Sequence, residues 1–350
     1  MPKKILISGN EAIAEAAVQA GCRFYAGYPI TPQNEIPAYM AQRMPQVAGV
    51  FIQAESELAA VNMVFGASAA GARAMTSSSS PGMSLKQEGI SYIAGAELPA
   101  VIVNIMRGGP GLGNIAPAQS DYFQATRSGG HGDYRCIVLA PYSVPEAYTL
   151  TALAFDLADK YRLPAIILGD GILGQMMEPL EVKRIKIKNY PKPWALTGCK
   201  NRKAQVVKSF YLKEGTLEKF NLGLQQKYRR IHEKEQRCET LFLDDARIIL
   251  VAYGTMARIA KSLVIDLRRQ GQKIGLIRPV SLWPFPDKIF QSLSRSRKNL
   301  RFLVIEMSYG QMLEDVRLTL DGKFPVAFLG RGGGGVPTEK EIINKIKKLK

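Results

Sequence analysis

Two carboxylates stand where a strand gives way to a helix. Glu55 and Glu57 follow the apolar run VFIQA and open an alanine-rich stretch. Either is placed to share a proton or a strong hydrogen bond with a bound group, and spacing alone does not choose between them. A carboxylate in a first helical turn can also be purely structural, because the helix dipole favours it there. Arg107 follows AVIVNIM, a run apolar enough to be buried, and precedes GGPGLG. A cation at the end of a buried strand needs a reason. Its planar fork suits a carboxylate, and glycines let backbone come close to a ligand. Thr31, in YPITP, offers a hydroxyl whose alternative use is to cap a helix beginning at Pro32.

Other constellations carry less. Asp121, His131 and Asp133 form a polar group around GGHGDY that reads as local hydrogen bonding rather than a metal site. Gly169-Asp170-Gly171 opens like the GDG…N motif that holds Mg²⁺ and a diphosphate. Asn189 comes too early and Asn201 too late to close it, and neither ends an apolar strand. Gly330–Gly335 satisfies G-x-G-x-x-G but lacks the acidic residue ~20 positions on and a second βαβ unit, so it reads as a domain-closing turn. No G-x-S-x-G elbow accompanies the serines. Cys22, Cys136, Cys199 and Cys238 have no C-x-x-C spacing, which excludes a self-contained cysteine-ligated iron–sulfur cluster and predicts four reduced thiols.

The elements that must position these residues alternate. Strands are predicted at KILIS (4–8), RFYAGYP (23–29), VAGVFIQA (47–54), RAMTS (73–77), AVIVNIM (100–106), CIVLAP (136–141) and PAIIL (164–168), with helices between them. Continuous Val/Ile/Leu strands alternating with helices imply an α/β fold whose parallel sheet is covered on both faces. Sites in such sheets lie at the carboxyl ends of strands. That rule marks the loops Tyr28–Thr31, Ala54–Glu57, Thr76–Gly82 and Arg107–Gly113. Residues 183–245 break the rhythm, with Pro191, Pro193 and a helical stretch near 217–236, and read as a basic connecting segment. A second, smaller α/β domain follows over 246–350, leaving 1–182 as the first.

Length and charge bound the rest. The chain has 350 residues, 46% hydrophobic and 22% charged, which suits two globular domains and excludes disorder. The net charge of +17 is uneven: −4 over 1–182, +12 over 183–237 and +9 over 238–350. The basic stretches lack groove-reading motifs or aromatic interleaving, so no nucleic-acid partner is expected; a solvated face or a dock for an acidic protein is. No apolar run approaches ~20 residues and the start is too short for a signal peptide, so no membrane span is expected and the chain is read as cytoplasmic.

The four marked loops share one likeness. GYPITPQNE (27–35), QAESELAAVN (53–62), TSSSSPG (76–82) and IMRGGPGLG (105–113) resemble, in order, the amino-terminal region of 2-oxoacid:ferredoxin oxidoreductases. ARIILVAYGTMARIAKSL and GLIRPVSLWPFP resemble the transketolase-carboxyl-terminal type of domain these enzymes carry. The likeness is to the alpha-type subunit of multi-chain members, of the branched-chain 2-oxoisovalerate type. It implies a thiamine-diphosphate pyrimidine-type parallel-sheet domain followed by the smaller domain. It implies oxidative decarboxylation of a 2-oxoacid to acyl-coenzyme A with reduction of ferredoxin; 2-oxoglutarate or pyruvate as substrate, a non-redox thiamine enzyme half and a noncatalytic scaffold are the alternatives. By the matching motifs, Glu57 is the carboxylate against the aminopyrimidine nitrogen, favouring the tautomer that activates the thiazolium carbon. Arg107 and Thr31 contact the oxoacid, and Pro29 and Ser80 line the cofactor with Glu57. Thiamine diphosphate is then shared with a beta subunit, while Mg²⁺ and iron–sulfur clusters reside on beta, gamma and ferredoxin-like delta partners.

Overall fold

The computed structural model describes residues 4–183 and 185–349. The first half runs β1 (Lys4–Ser8), α1 (Gly9–Gln19), β2 (Phe24–Gly27), α2 (Glu35–Arg43), β3 (Val50–Gln53), α3 (Glu57–Ala69), β4 (Ala74–Ser78), α4 (Ser80–Gly95), β5 (Ala100–Met106), α5 (Tyr122–Thr126), β6 (Ile137–Leu139), α6 (Val144–Tyr161), β7 (Pro164–Asp170), α7 (Gly171–Gln175) and β8 (Met177–Glu181). Then come α8 (Thr216–Lys234), β9 (Cys238–Leu241), β10 (Ile248–Val251), α9 (Gly254–Arg269), β11 (Ile274–Pro279), β12 (Ser281–Trp283), α10 (Asp287–Ser296), β13 (Arg301–Glu306), α11 (Gln311–Leu320), β14 (Val326–Gly330) and α12 (Glu339–Lys347).

Seven strands form the main sheet in the order β12-β6-β7-β5-β4-β2-β3, parallel except for β12. Strand β5 shows why it is covered twice. Ala100, Ile102 and Met106 join a layer with α3 and α4, while Val101, Val103 and Ile105 join one with α1, α2 and α6. Period-two alternation with apolar residues on both sides leaves no face for water. The second sheet has the order β14-β13-β10-β11-β9, parallel except for β9.

Two local expectations change, and one strand is new. KILIS is a strand, but it pairs antiparallel with β8 in a separate two-stranded ribbon; Leu6 is exposed, so β1 has one covered face only. Thr31 caps no helix. Residues 30–34 form a turn, with Gln33 N–H on the Ile30 carbonyl and the Pro32 carbonyl taken by Asn10 and Gln175, and α2 starts only after Asn34. Strand β12, from the second half, closes an edge of the first sheet against β6.

The two sheets share one apolar cluster, which includes Val138, Ile166 and Leu168 of the first and Ile249, Val251 and Ile277 of the second. Polar staples fix the join: Gln119 donates to the Tyr253 carbonyl at 2.9 Å and accepts from Met307 N–H at 2.9 Å, and Arg278 forks onto Glu146 at 2.8 and 2.9 Å. In the basic connection, α8 buries Leu224, Tyr228 and Ile231. Lys192 pairs with Asp159, Lys227 with Glu97 and Arg237 with Glu235, so part of the positive excess is neutralised locally.

Candidate functional site

The four marked loops leave four adjacent strands, β5-β4-β2-β3. The chain runs outward from β2 to the edge strand β3, then returns to place β4 and β5 on the other side of β2. The strand order therefore reverses at β2/β4, where open α/β sheets place their ligand crevice. Glu57 follows β3, Ser80 follows β4, Arg107 follows β5 and Thr31 lies in the loop after β2.

Burial separates the two glutamates: Glu55 is exposed and Glu57 is 6% exposed. Ser56 caps α3 through the Ala59 N–H at 3.1 Å, which makes Glu57 the first helical residue. No described residue donates a hydrogen bond to the Glu57 carboxylate. Helix α4 reaches it at Gly82, where a Cβ would drive into both Glu57 Oε1 and Ser78 Oγ. Glycine at 82 is thus a requirement of close approach.

Arg107 is buried, and its guanidinium bridges two loops by donating to the carbonyls of Thr31 and Leu112, each at 3.0 Å. Thr31 itself is exposed; its hydroxyl meets only Asn34 Nδ2, at 3.5 Å. Pro29 is exposed on the same loop. Ser80 Oγ accepts from Arg107 N–H at 3.0 Å and donates to Asp121 Oδ2 at 2.6 Å, and Asn104 Nδ2 donates to that same oxygen at 2.9 Å. Burial pushes the Asp121 carboxyl above its ordinary range, and these two donors pull the other way. Hydrogen bonds therefore join Ser80, Arg107 and the Thr31 backbone, while Glu57 packs on Gly82, two residues beyond Ser80.

Buried polar atoms without a partner gather here: Ser78 Oγ, Ser79 Oγ, Asn104 Oδ1 and Arg107 Nε. Such atoms are costly, and a cluster of them beside a lone buried carboxylate suits a polar ligand. Sequence reasoning missed Asn104 and Asp121 as partners of the Arg107 loop, although a lone Asn inside AVIVNIM was a signal. It also missed Lys86, wholly buried in α4.

The weaker constellations resolve otherwise. Asp121 turns to Ser80, away from His131 and Asp133, whose backbone carbonyls serve Ser91 and Gln225. No group of three His, Cys, Asp or Glu able to hold a metal exists among the described residues. Asp170 caps α7 and ties β7 to Thr255 at 2.8 Å. The glycines of 330–335 pack on the Arg107 loop, where Asn114 donates to the Gly333 carbonyl at 3.0 Å. All four cysteines are free, and burial pushes the Cys22 and Cys136 thiols up to about 12.

Comparison with known proteins gives the family and the fold. Residues 15–237 match the family described as pyruvate flavodoxin/ferredoxin oxidoreductase, thiamine-diphosphate-binding, and residues 246–342 match pyruvate:ferredoxin oxidoreductase core domain II. The chain belongs to the 2-oxoacid:ferredoxin oxidoreductase family. It is 50% identical to the ketoisovalerate oxidoreductase subunit VorB of Methanothermobacter marburgensis, over 98% of this chain and 97% of that one. It is 35% identical to the 2-oxoglutarate synthase subunit KorA of the same organism, over the whole of both. Among solved structures, the 2-oxoglutarate:ferredoxin oxidoreductase from Magnetococcus marinus superposes with a TM-score of 0.89 at 26% identity, covering 99% of this chain and 65% of that one. A split-gene transketolase shares the fold at a TM-score of 0.61 and 14% identity.

The matched family is thiamine-diphosphate-binding, and the crevice of this oxidoreductase subunit fits part of that group. A buried carboxylate packs against Gly82 without a donor among the described residues, and the Ser78, Ser79 and Asn104 oxygens lack partners. The Asp170 oxygens, by contrast, are consumed by α7 and Thr255, so a diphosphate with its Mg²⁺ is not held there. No helix among the described residues is long and apolar enough to cross a membrane.

Proposed function

We propose that this chain is the alpha subunit of a cytoplasmic, thiamine-diphosphate-dependent 2-oxoacid:ferredoxin oxidoreductase that acts on a branched-chain 2-oxoacid of the 2-oxoisovalerate class. The observation that carries the reading is the buried Glu57 carboxylate, packed against Gly82 near the strand-order reversal and given no hydrogen bond by any described residue. Thiamine diphosphate, when bound, supplies the carbon nucleophile for oxoacid decarboxylation. Glu57 holds a proton between its carboxylate and the aminopyrimidine ring nitrogen. That bond is strong because the site is dry. Pro29 and Ser80 shape the wall around the same ring.

Arg107 spends two N–H groups on backbone carbonyls and keeps Nε–H unpartnered. The remaining edge of the guanidinium takes the oxoacid carboxylate, and the Thr31 hydroxyl takes the second oxygen. Beside Thr31 opens a cleft of about 450 Å³ lined by Pro32, Ile115, Pro117 and Ile172, with Glu35 as its charged member. That lining suits a branched apolar side chain and repels the distal carboxylate of 2-oxoglutarate. The named ketoisovalerate relatives support the same choice.

This subunit supplies the pyrimidine-side carboxylate and the oxoacid clamp. A beta subunit supplies the diphosphate and Mg²⁺ side, and gamma and ferredoxin-like delta subunits, with their iron–sulfur clusters, complete electron transfer to ferredoxin and acyl transfer to coenzyme A. The test is anaerobic co-purification with native partners, then viologen reduction with coenzyme A and a panel of 2-oxoacids. Reduction that needs both substrates and is fastest with 2-oxoisovalerate supports the reading. No reduction by an intact, cofactor-loaded complex overturns it.

A further inference from the structure

Lys86 has no part in the chemistry above, yet it is the most unusual side chain near the site. It lies in the second turn of α4 and is 0% exposed. Burying a lysine costs several kcal/mol unless something compensates. Its amine has two acceptors: Thr76 Oγ1 on β4 at 2.9 Å and the Glu57 backbone carbonyl at 3.2 Å. Lys86 is also four residues beyond Gly82, so both lie on one face of α4. Helix α4 therefore grips Glu57 at both ends, Gly82 against its carboxylate and Lys86 on its carbonyl.

We propose that Lys86 is a positioning residue for Glu57, bridging the first turn of α3 to β4 so that the carboxylate is held at a fixed height above the crevice. The inference rests on the role given to Glu57 above. Two acceptors match the two N–H groups of a neutral amine. Burial depresses Lys86 to about 7 from its ordinary 10.5, with Glu57 pulling the other way as the one charged group acting on it. Its partner on β4, the Thr76 hydroxyl, carries no charge. Below pH 7 an ammonium ion beside Glu57 weakens the carboxylate's hold on a proton; above it, that field is gone.

The test uses the assembled, cofactor-loaded complex with Lys86→Met, Thr76→Val as a second break in the bridge, and Glu57→Gln as reference. Lys86→Met and Thr76→Val should each lower kcat roughly tenfold or more, the scale of a misplaced catalytic group, with the oxoacid KM little changed. The wild-type ionisation near pH 7, with rate rising as pH rises, should vanish in Lys86→Met. Stability gives a readout free of activity. Between pH 7 and 10.5 the unfolded wild-type chain binds more protons at residue 86 than the folded one, so stability rises with pH. The unfolding midpoint of the wild type relative to Lys86→Met should therefore rise between pH 7 and pH 10, whichever is higher at pH 7. A wild-type rate and pH profile in Lys86→Met, with Glu57→Gln inactive, would overturn the inference alone. An active Glu57→Gln would overturn the reading beneath it as well.

Discussion

The carboxyl ends of the two sheets hold buried glutamates in opposite states. At the end of β13, Glu306 is fully buried, and both its oxygens are used: Ser308 Oγ at 2.7 Å, Met312 N–H at 3.0 Å and Leu313 N–H at 2.9 Å. It caps α11 and is satisfied, although burial pushes its carboxyl above the usual range. Beyond β3, Glu57 is nearly as buried, yet no described residue donates to its carboxylate. Both sheets share the α/β plan, and both bury an acid past a strand. What differs is where the acid's hydrogen bonds go. A buried carboxylate completed by its own chain is architecture; one left incomplete, with Ser78, Ser79 and Asn104 oxygens also unpartnered, is what the proposed ligand site rests on.

Substitutions can break that contrast. The largest effect belongs to Glu57→Gln, which should fold and assemble but lose ~10² or more in turnover, the scale of one placed acid–base group. Arg107→Ala should next raise the oxoacid concentration for half-saturation by ~10-fold or more, because charge-assisted bonds contribute about 1.5–3 kcal/mol; an unchanged saturation curve counts against the clamp. Glu306→Gln should do the reverse of Glu57→Gln. It turns one acceptor oxygen into a donor facing N–H groups, so the unfolding midpoint should fall by the equivalent of about 1–3 kcal/mol while turnover per folded complex stays within about twofold. Glu55→Gln, at an exposed position, should change neither quantity; a large loss there would mean the wrong glutamate carries the chemistry.

Much of this was legible in the residues. The strand–helix alternation and the four loops follow from apolar runs and their punctuation, and the sheet order brings those loops together. Glu57 and Arg107 were visible as charged residues at the ends of apolar runs. The choice of Glu57 over Glu55 needed the family likeness, since two positions on a chain turning into a helix differ only in direction; burial now separates them. Lys86 was not legible, because SLKQEG has the polarity of a surface helix and only the approach of α3 and β4 buries it. Nor was β12, a three-residue strand whose pairing with β6 depends on how the second half docks. Thr31 misled because a threonine before proline is the usual sign of a helix start, whereas Asn10, Gln175 and Arg107 claim the carbonyls of this turn instead.

The most direct test of the contrast is paired measurement of viologen reduction and unfolding midpoint in the assembled complex, with Glu57→Gln set beside Glu306→Gln. We expect Glu57→Gln to keep the wild-type midpoint and lose ~10² or more in rate, and Glu306→Gln to lose stability and keep its rate. Near-normal turnover in Glu57→Gln would contradict the account, for its buried carboxylate would then be architecture too.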